Sequence, residues 1–275
     1  MKKFEGILLC TDLDGTLLRN DKSISKENLK AIRYFMAEGG KFTFITGRMP
    51  YFVQHIYDTL NPNAPFGCIN GGGIYDHRLD KYVWTRELSP ECFELIDSVV
   101  ENVKGIGLQV NTFDKIYFSM ENDAMAYFRE VTGVPNLVKP YREVKEPIGK
   151  IVFGDNRNEI ILEIEKTLLS HPKAWKFDFI RSEHALYEIL PKGNSKGDVM
   201  MRIADLLGID RRRTVAAGDY NNDVSMLRDA GVGVAVSNAS PAAKAAADCI
   251  TVSNEEHAIA KIIKDIEEGK IRFTA

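Results

Sequence analysis

Phe4-Glu5-Gly6-Ile7-Leu8-Leu9-Cys10-Thr11-Asp12-Leu13-Asp14-Gly15-Thr16 is a short apolar run that ends abruptly on two acids and a glycine. An apolar run of this length, stopped by an acidic segment, predicts a buried strand over Phe4 to Thr11 with Asp12 and Asp14 at its C-terminal end. Were Asp14-Gly15 a hairpin turn, a second strand would follow at once. The next regular pattern is instead a helix from Ser25, with Leu29, Ile32 and Met36 on one face, Ser25 as N-cap and Gly39-Gly40 as the stop. Strand followed by helix makes this a βα unit, and the two acids stand where such units carry chemistry.

The rhythm continues with a strand at Lys41 to Thr46, a helix at Pro50 to Leu60, and a third strand holding Cys68-Ile69 before Gly71-Gly72-Gly73. It returns after about residue 190. A helix spans Ser195 to Leu207 with Val199, Ile203 and Leu206 inward, and strands at Thr214 to Ala217, Val232 to Val236 and Cys249 to Val252 alternate with helices near Asn222, Pro241 and Glu255. Together these segments predict an α/β fold, a Rossmann-like doubly wound parallel sheet. The intervening stretch changes character. A helix behind Ser89-Pro90 carries Phe93, Ile96, Val100 and Val103; alternating strands follow at Leu108 to Thr112 and Lys115 to Ser119; a strand-helix segment covers Ile148 to Leu169; and Trp175 to Arg181 pairs with His184 to Leu190. Hairpins replace strand-helix units there, which predicts an inserted α+β domain joined through linkers near Trp84 and Pro191.

Hydrophobic residues make up 44% and charged residues 27% of the 275, an ordinary globular mix. A formal net charge of -3 supplies no global positive field, so nucleic acid is not the expected partner. The four cysteines are scattered singly, without zinc spacing and too few for a disulfide framework, which fits a reducing cytoplasm. The apolar run at Ile7 to Cys10 is shorter than a signal peptide requires, and no apolar stretch approaches the length that spans a bilayer.

Asp12 and Asp14, two residues apart past a buried strand, can aim at one centre, where one carboxylate attacks and the other handles a proton. Thr46-Gly47-Arg48 ends the second strand with a hydroxyl and backbone N–H groups suited to phosphoryl oxygens, although a threonine cap on an ordinary loop has the same look. Lys196 opens a predicted helix, where a cation opposes the helix dipole and needs another reason, such as a bound phosphate, to be there. Gly218-Asp219-Tyr220-Asn221-Asn222-Asp223 ends the strand at Thr214 to Ala217 with a second acidic cluster, and a doubly wound sheet would bring it beside Asp12. Carboxylates without histidine or cysteine make a hard oxygen setting suited to magnesium, while an Asx turn at Asn222 or Asp223 can hold simultaneously. Asn70-Gly71-Gly72-Gly73 reads equally as an anion-binding nest or a plain turn. There is no P-loop.

DLDGT at 12 to 16, TGR at 46 to 48, Lys196 and GDYNND at 218 to 223 occur in the order of the haloacid dehalogenase-like phosphatases, which the chain resembles along nearly its whole length. The large insertion after the second motif, and INGGGIYD before it, resemble the Cof-type branch with an α/β cap of type IIB. The resemblance implies a catalytic core of residues 1–82 and 190–275 and a cap of 83–189 that closes over the site and selects the leaving group. It implies Asp12 as nucleophile and Asp14 as general acid and base, with Mg2+ held by Asp12, the Asp14 carbonyl and Asp219. It implies phosphate contacts from the Leu13 backbone, Thr46, Gly47, Lys196 and Asn222. Asp223 would support metal waters or Lys196, and Arg48 would support the site. The expected activity is phosphatase action on a small phosphorylated metabolite. A sugar phosphomutase is the alternative that shares the aspartyl-phosphate, and a non-catalytic sensor is a third.

Overall fold

The computed structural model describes residues 2–273, which divide into two compact units. The first takes the chain up to Arg48, Val53–Trp84 and everything from Ser195; the second takes Met49–Phe52 and Thr85–Asn194.

In the first unit β1 (Leu8–Thr11) is followed by α1 (Lys26–Ala37), β2 (Lys41–Phe44), α2 (Gln54–Leu60), β3 (Phe66–Cys68), β4 (Gly73–Asp76) and β5 (Lys81–Thr85). In the second come α3 (Cys92–Asn102), β6 (Gly107–Thr112), β7 (Ile116–Met120), α4 (Asp123–Thr132), β8 (Leu137–Val138), β9 (Ile148–Gly154), α5 (Asn158–Ser170), β10 (Phe177–Glu183) and β11 (Leu186–Pro191). The chain then completes the first unit with α6 (Lys196–Leu206), β12 (Thr214–Gly218), α7 (Val224–Asp229), β13 (Val232–Ala235), α8 (Pro241–Ala246), β14 (Cys249–Ile250) and α9 (Ala258–Glu267).

The central sheet of the first unit runs β14-β13-β12-β1-β2, all parallel. From β1 the chain winds outward to β2, and from β12 it winds the other way to β13 and β14. The boundary between β1 and β12 is therefore the point where strand order reverses, and the crevice outside the strands' carboxyl ends at such a point is where open α/β sheets bind ligands. Leu8, Cys10 and Ala216 lie in one apolar cluster with Val199, Ile203, Met226 and Leu227 of α6 and α7, and strand alternation sends Leu9 to the opposite face. The fully buried β1, with no polar side chain before Thr11, reads as it should for a strand covered on both faces.

Several local expectations shift. The strand at Phe4 to Thr11 is shorter, beginning at Leu8. The helix from Ser25 forms with that residue's hydroxyl capping Asn28 N, but its buried face is Asn28, Ile32 and Phe35 rather than Leu29, Ile32 and Met36. The reason is polar: Asn28 Oδ1 accepts from Ala260 N at 2.9 Å and so ties α1 to α9. The helix at Pro50 to Leu60 starts as a 3-10 turn over Pro50–Val53. The strand at Cys68-Ile69 ends at Cys68; β3 pairs antiparallel with β4 in a three-stranded sheet, β3-β4-β5, and meets the parallel strands through a single bridge between Ile45 and Gly67.

The second unit is one six-stranded sheet, β10-β11-β9-β6-β7-β8, antiparallel except for the β7–β8 pair. Leu108, Val110, Ile151, Phe153 and Ile189 form its core with Leu95, Ile96 and Val99 of α3 and Ile161, Ile164 and Leu168 of α5. Of the expected Phe93, Ile96, Val100 and Val103, Ile96 and Val103 are buried, while Leu95 and Val99 take the inward places and Phe93 and Val100 pack at the edge of the core. Helix α4, capped by the Asn122 side chain, was not expected from the sequence. Among the described residues, no helix is long and apolar enough to cross a membrane.

Candidate active site

Asp12 continues the ladder of β1 by one step, donating its N–H to Ala217 O at 2.9 Å, so its side chain emerges at the strand-order reversal. The loop then folds back as Thr16 N and Leu18 N donate to Leu13 O, with the Leu13 side chain fully buried and only its backbone left for the site. Gly15 has φ +82, and a Cβ there would lie 2.6 Å from Asp219 Oδ2. The glycine of the motif therefore both takes a left-handed turn and makes room for the second acidic loop. The Thr16 hydroxyl donates to Asp219 Oδ1 at 2.7 Å, giving this threonine a role its place in the motif did not disclose.

The second acidic loop is held from below. Asp223 Oδ2 accepts the N–H groups of Asp219 and Tyr220 at 2.9 and 3.0 Å, so it caps its own turn. Its other oxygen faces Lys196, the first residue of α6, whose N-cap Ser195 accepts from Asp198 N. Lys196 is 1% exposed, and its Nζ lies 2.5 Å from Asp12 Oδ1 and 2.6 Å from Asp223 Oδ1. The ammonium at a helix N-terminus is thus explained by two carboxylates that outweigh the helix dipole.

Thr46 is buried, and its hydroxyl accepts Arg48 N at 3.2 Å. Gly47 is crowded by Asn70, whose Oδ1 would lie 2.9 Å from a Cβ at that position. Asn70 also donates its N–H to Thr46 O and accepts from Asn222 Nδ2 at 3.1 Å. Asn70, buried and at φ +50, therefore stitches the Thr46 loop to the Asn222 loop, a role left open between nest and turn by the sequence.

Asp14 is placed differently. Both of its oxygens are taken by Arg48, Nε to Oδ2 at 2.9 Å and Nη2 to Oδ1 at 2.7 Å, and Lys22 Nζ adds a bond to Oδ1 at 2.8 Å. Its carboxylate is outside the acidic cluster formed by Asp12, Asp219 and Asp223. Lys22 was missed from sequence, since one more lysine in a polar loop gives no signal.

The charges follow from this geometry. Burial pushes the Asp12 carboxyl well above the usual range, Lys196 pulls it down, and Asp223, Asp219 and Asp14 push it up again. Burial and then Asp223 lift Asp219 to about 7. Burial lowers Lys196, but Asp12 and Asp223 more than reverse this and keep it protonated. Burial would raise Asp14, but the charge and hydrogen bonds of Arg48, with Lys22 behind them, hold it below the ordinary value as a carboxylate.

Asp12, Asp219 and Asp223 each offer an oxygen within 4.8 Å of the others, with Lys196 as the cation bonded to two of the three. Three acids against one ammonium, with oxygen donors only, fit a hard divalent cation.

The sequence matches the family model of the haloacid dehalogenase-like hydrolases over residues 9–263. The Bacillus subtilis protein YxeH is 31% identical over 279 residues, covering 96% of this chain and 99% of its own. A second Bacillus subtilis relative, the 5-amino-6-(5-phospho-D-ribitylamino)uracil phosphatase YitU, is 27% identical over 272 residues, 94% of this chain and 96% of its own. Among solved structures, the subclass IIB sugar phosphatase BT4131 superposes with a TM-score of 0.83 at 25% identity, covering 94% of this chain and 98% of that one.

Proposed function

The chain belongs to the haloacid dehalogenase-like hydrolases and is a phosphatase, and from that premise we propose that it hydrolyses small phosphorylated metabolites, sugar phosphates or similar monoesters, with magnesium and through a phosphoryl group carried on Asp12. The observation that carries this reading is Lys196 Nζ held between Asp12 and Asp223 beside a third carboxylate at the strand-order reversal. Relatives named as a sugar phosphatase and as a phosphoribitylaminouracil phosphatase support the substrate class.

In this reading an Asp12 oxygen attacks phosphorus and the bond to the ester oxygen breaks. Asp14, released from Arg48 and Lys22 and protonated, gives its proton to the departing alcohol. The resulting Asp14 carboxylate then takes a proton from water as the water oxygen attacks the aspartyl-phosphate, breaking the bond to Asp12 and freeing phosphate. Lys196 neutralises phosphoryl charge throughout, and Thr46, Gly47, the Leu13 backbone and Asn222 position the phosphoryl oxygens. Asp12, Asp219 and the Asp14 carbonyl would hold Mg2+, which when bound supplies positive charge that offsets repulsion between carboxylate and phosphate. Asp223 orients Lys196. The second unit selects the leaving group, and the enzyme works in the cytoplasm. A sugar phosphomutase would run the same first half-reaction and return the phosphoryl group to a sugar hydroxyl.

Phosphate release across a panel of phosphorylated sugars, nucleotides and cofactors, with magnesium and with chelator, tests the activity. Mass analysis of the rapidly quenched enzyme should find one phosphoryl group on the peptide containing Asp12. Turnover that survives complete chelation, or phosphate on another residue, would refute the mechanism. Isomerisation in place of release when a sugar bisphosphate is supplied would identify the mutase.

A further inference from the structure

One carboxylate, Asp14, is shared by two cations. Lys22 Nζ and Arg48 Nη2 both bond Oδ1, at 2.8 and 2.7 Å, while Arg48 Nε bonds Oδ2 at 2.9 Å. The nearby acids are otherwise engaged, Asp21 with the N–H and hydroxyl of Ser23 and Glu255 with Arg19 and Asn20. Three cations, Lys22, Arg48 and Arg19, thus face three acids, Asp14, Asp21 and Glu255, so the patch is balanced while Asp14 is in place and carries one positive charge once Asp14 withdraws.

Lys22 is not a free surface lysine. It sits at φ +65, a backbone conformation unfavourable for a residue with a side chain, inside a turn closed by Arg19 N to Ser23 O at 2.9 Å. The turn is pinned from the far end of the chain. Glu255 accepts Arg19 Nε at 2.9 Å and Asn20 N at 2.7 Å, and buried Asn254 donates to Leu18 O at 3.0 Å. An ion pair with Lys22 more than half exposed contributes little to stability, so stability gives no account of such a fixed presentation.

For Asp14 to reach a leaving oxygen it must surrender at least one of these bonds, and its departure leaves a planar guanidinium fork and an ammonium arranged around a carboxylate-shaped space. Resting on the function proposed above, we infer that Lys22 and Arg48 form an anion subsite for the leaving group, and that the preferred substrates are phosphomonoesters of hydroxy acids, with a carboxylate close to the ester oxygen. Lys22 is a specificity-determining residue that the first unit adds to the selection made by the second, because Arg48 alone already satisfies both oxygens of Asp14 and Lys22 is left as a second cation once Asp14 withdraws.

A matched pair of competitors tests this: 2-phosphoglycerate and glycerol 2-phosphate differ only by a carboxylate in place of a hydroxymethyl group. Each is titrated against magnesium-supported hydrolysis of 4-nitrophenyl phosphate by the full-length enzyme. The acid should compete at about tenfold lower concentration, the worth of one charge-assisted hydrogen bond. Lys22→Met should erase most of that ratio and Lys22→Arg should restore it, with the thermal midpoint of both variants unchanged. Equal competition by the two esters, competition by neither, or a ratio untouched by Lys22→Met would overturn the subsite while leaving the phosphatase mechanism standing. Failure to hydrolyse 4-nitrophenyl phosphate with magnesium would instead remove the mechanism and the subsite together.

Discussion

Lys196 in the first unit and Lys150 in the second are both buried, and both reach carboxylates. Lys150 Nζ lies 2.9 Å from Glu188 Oε1, which also accepts the Ser182 hydroxyl at 2.6 Å. The pair is carried on the neighbouring strands β9 and β11 and fixed by their register. Lys196 instead stands at a helix start among Asp12, Asp219 and Asp223, which approach from two loops. A cross-strand ion pair inside a sheet completes a fold. A surplus of carboxylates over cations costs stability, and the imbalance makes this cluster the candidate place for a further cation.

The sharpest way to break this contrast is Asp12→Asn. The amide keeps the shape and loses the attacking charge, so turnover should fall by roughly 10^4 or more while far-UV dichroism stays native. Residual turnover above about one per cent of wild type would rule out Asp12 as nucleophile. Lys196→Ala comes next, with an expected loss of about 10^2 to 10^4 in kcat/KM, since a cation beside a phosphoryl group is worth several kcal/mol where water is excluded. Activity within about threefold of wild type would place Lys196 outside the phosphate site.

Lys150→Met should act on stability instead. It strands Glu188 in the interior and should cost about 3–5 kcal/mol in denaturant unfolding, while Lys150→Met combined with Glu188→Leu recovers most of the loss. If the single variant unfolds like wild type but loses turnover, the pair in the second unit is functional after all and the contrast fails.

The smallest effect concerns proton linkage. In chelator, Asp219 has its carboxyl at about 7 in the folded chain, above its ordinary 3.8. Between those values the unfolded chain releases a proton that the folded chain keeps, so folded stability falls as pH rises towards 7 and levels off above it. The ceiling on the change is about 4 kcal/mol between pH 4 and pH 8. Asp219→Asn should flatten the curve, and magnesium should reverse the loss at pH 8. Identical pH dependence of stability in wild type and Asp219→Asn, both in chelator, would contradict the raised carboxyl.

The sequence alone determined the strand-helix rhythm, because hydrophobic period and punctuation by Gly, Pro and capping residues are local properties. It also singled out Asp12, Lys196 and Asp219 as candidates, since acids just past a buried strand and a cation at a helix start are unusual placements. Tertiary structure decided the rest. That β3 pairs with β4 as a hairpin and meets the parallel strands only at a single bridge depends on which segments lie beside it, which no local pattern records. The inward face of α1 turned on one bond from Asn28 to a residue of α9, beyond any local pattern. Gly15 and Thr16 proved to be the seat of Asp219, and Asn70 the link between Thr46 and Asn222, because each contact joins positions far apart in the chain. Lys22 was invisible for the same reason: its meaning lies in the direction of one side chain, and that direction is set by a turn whose anchors, Asn254 and Glu255, stand at the opposite end of the sequence.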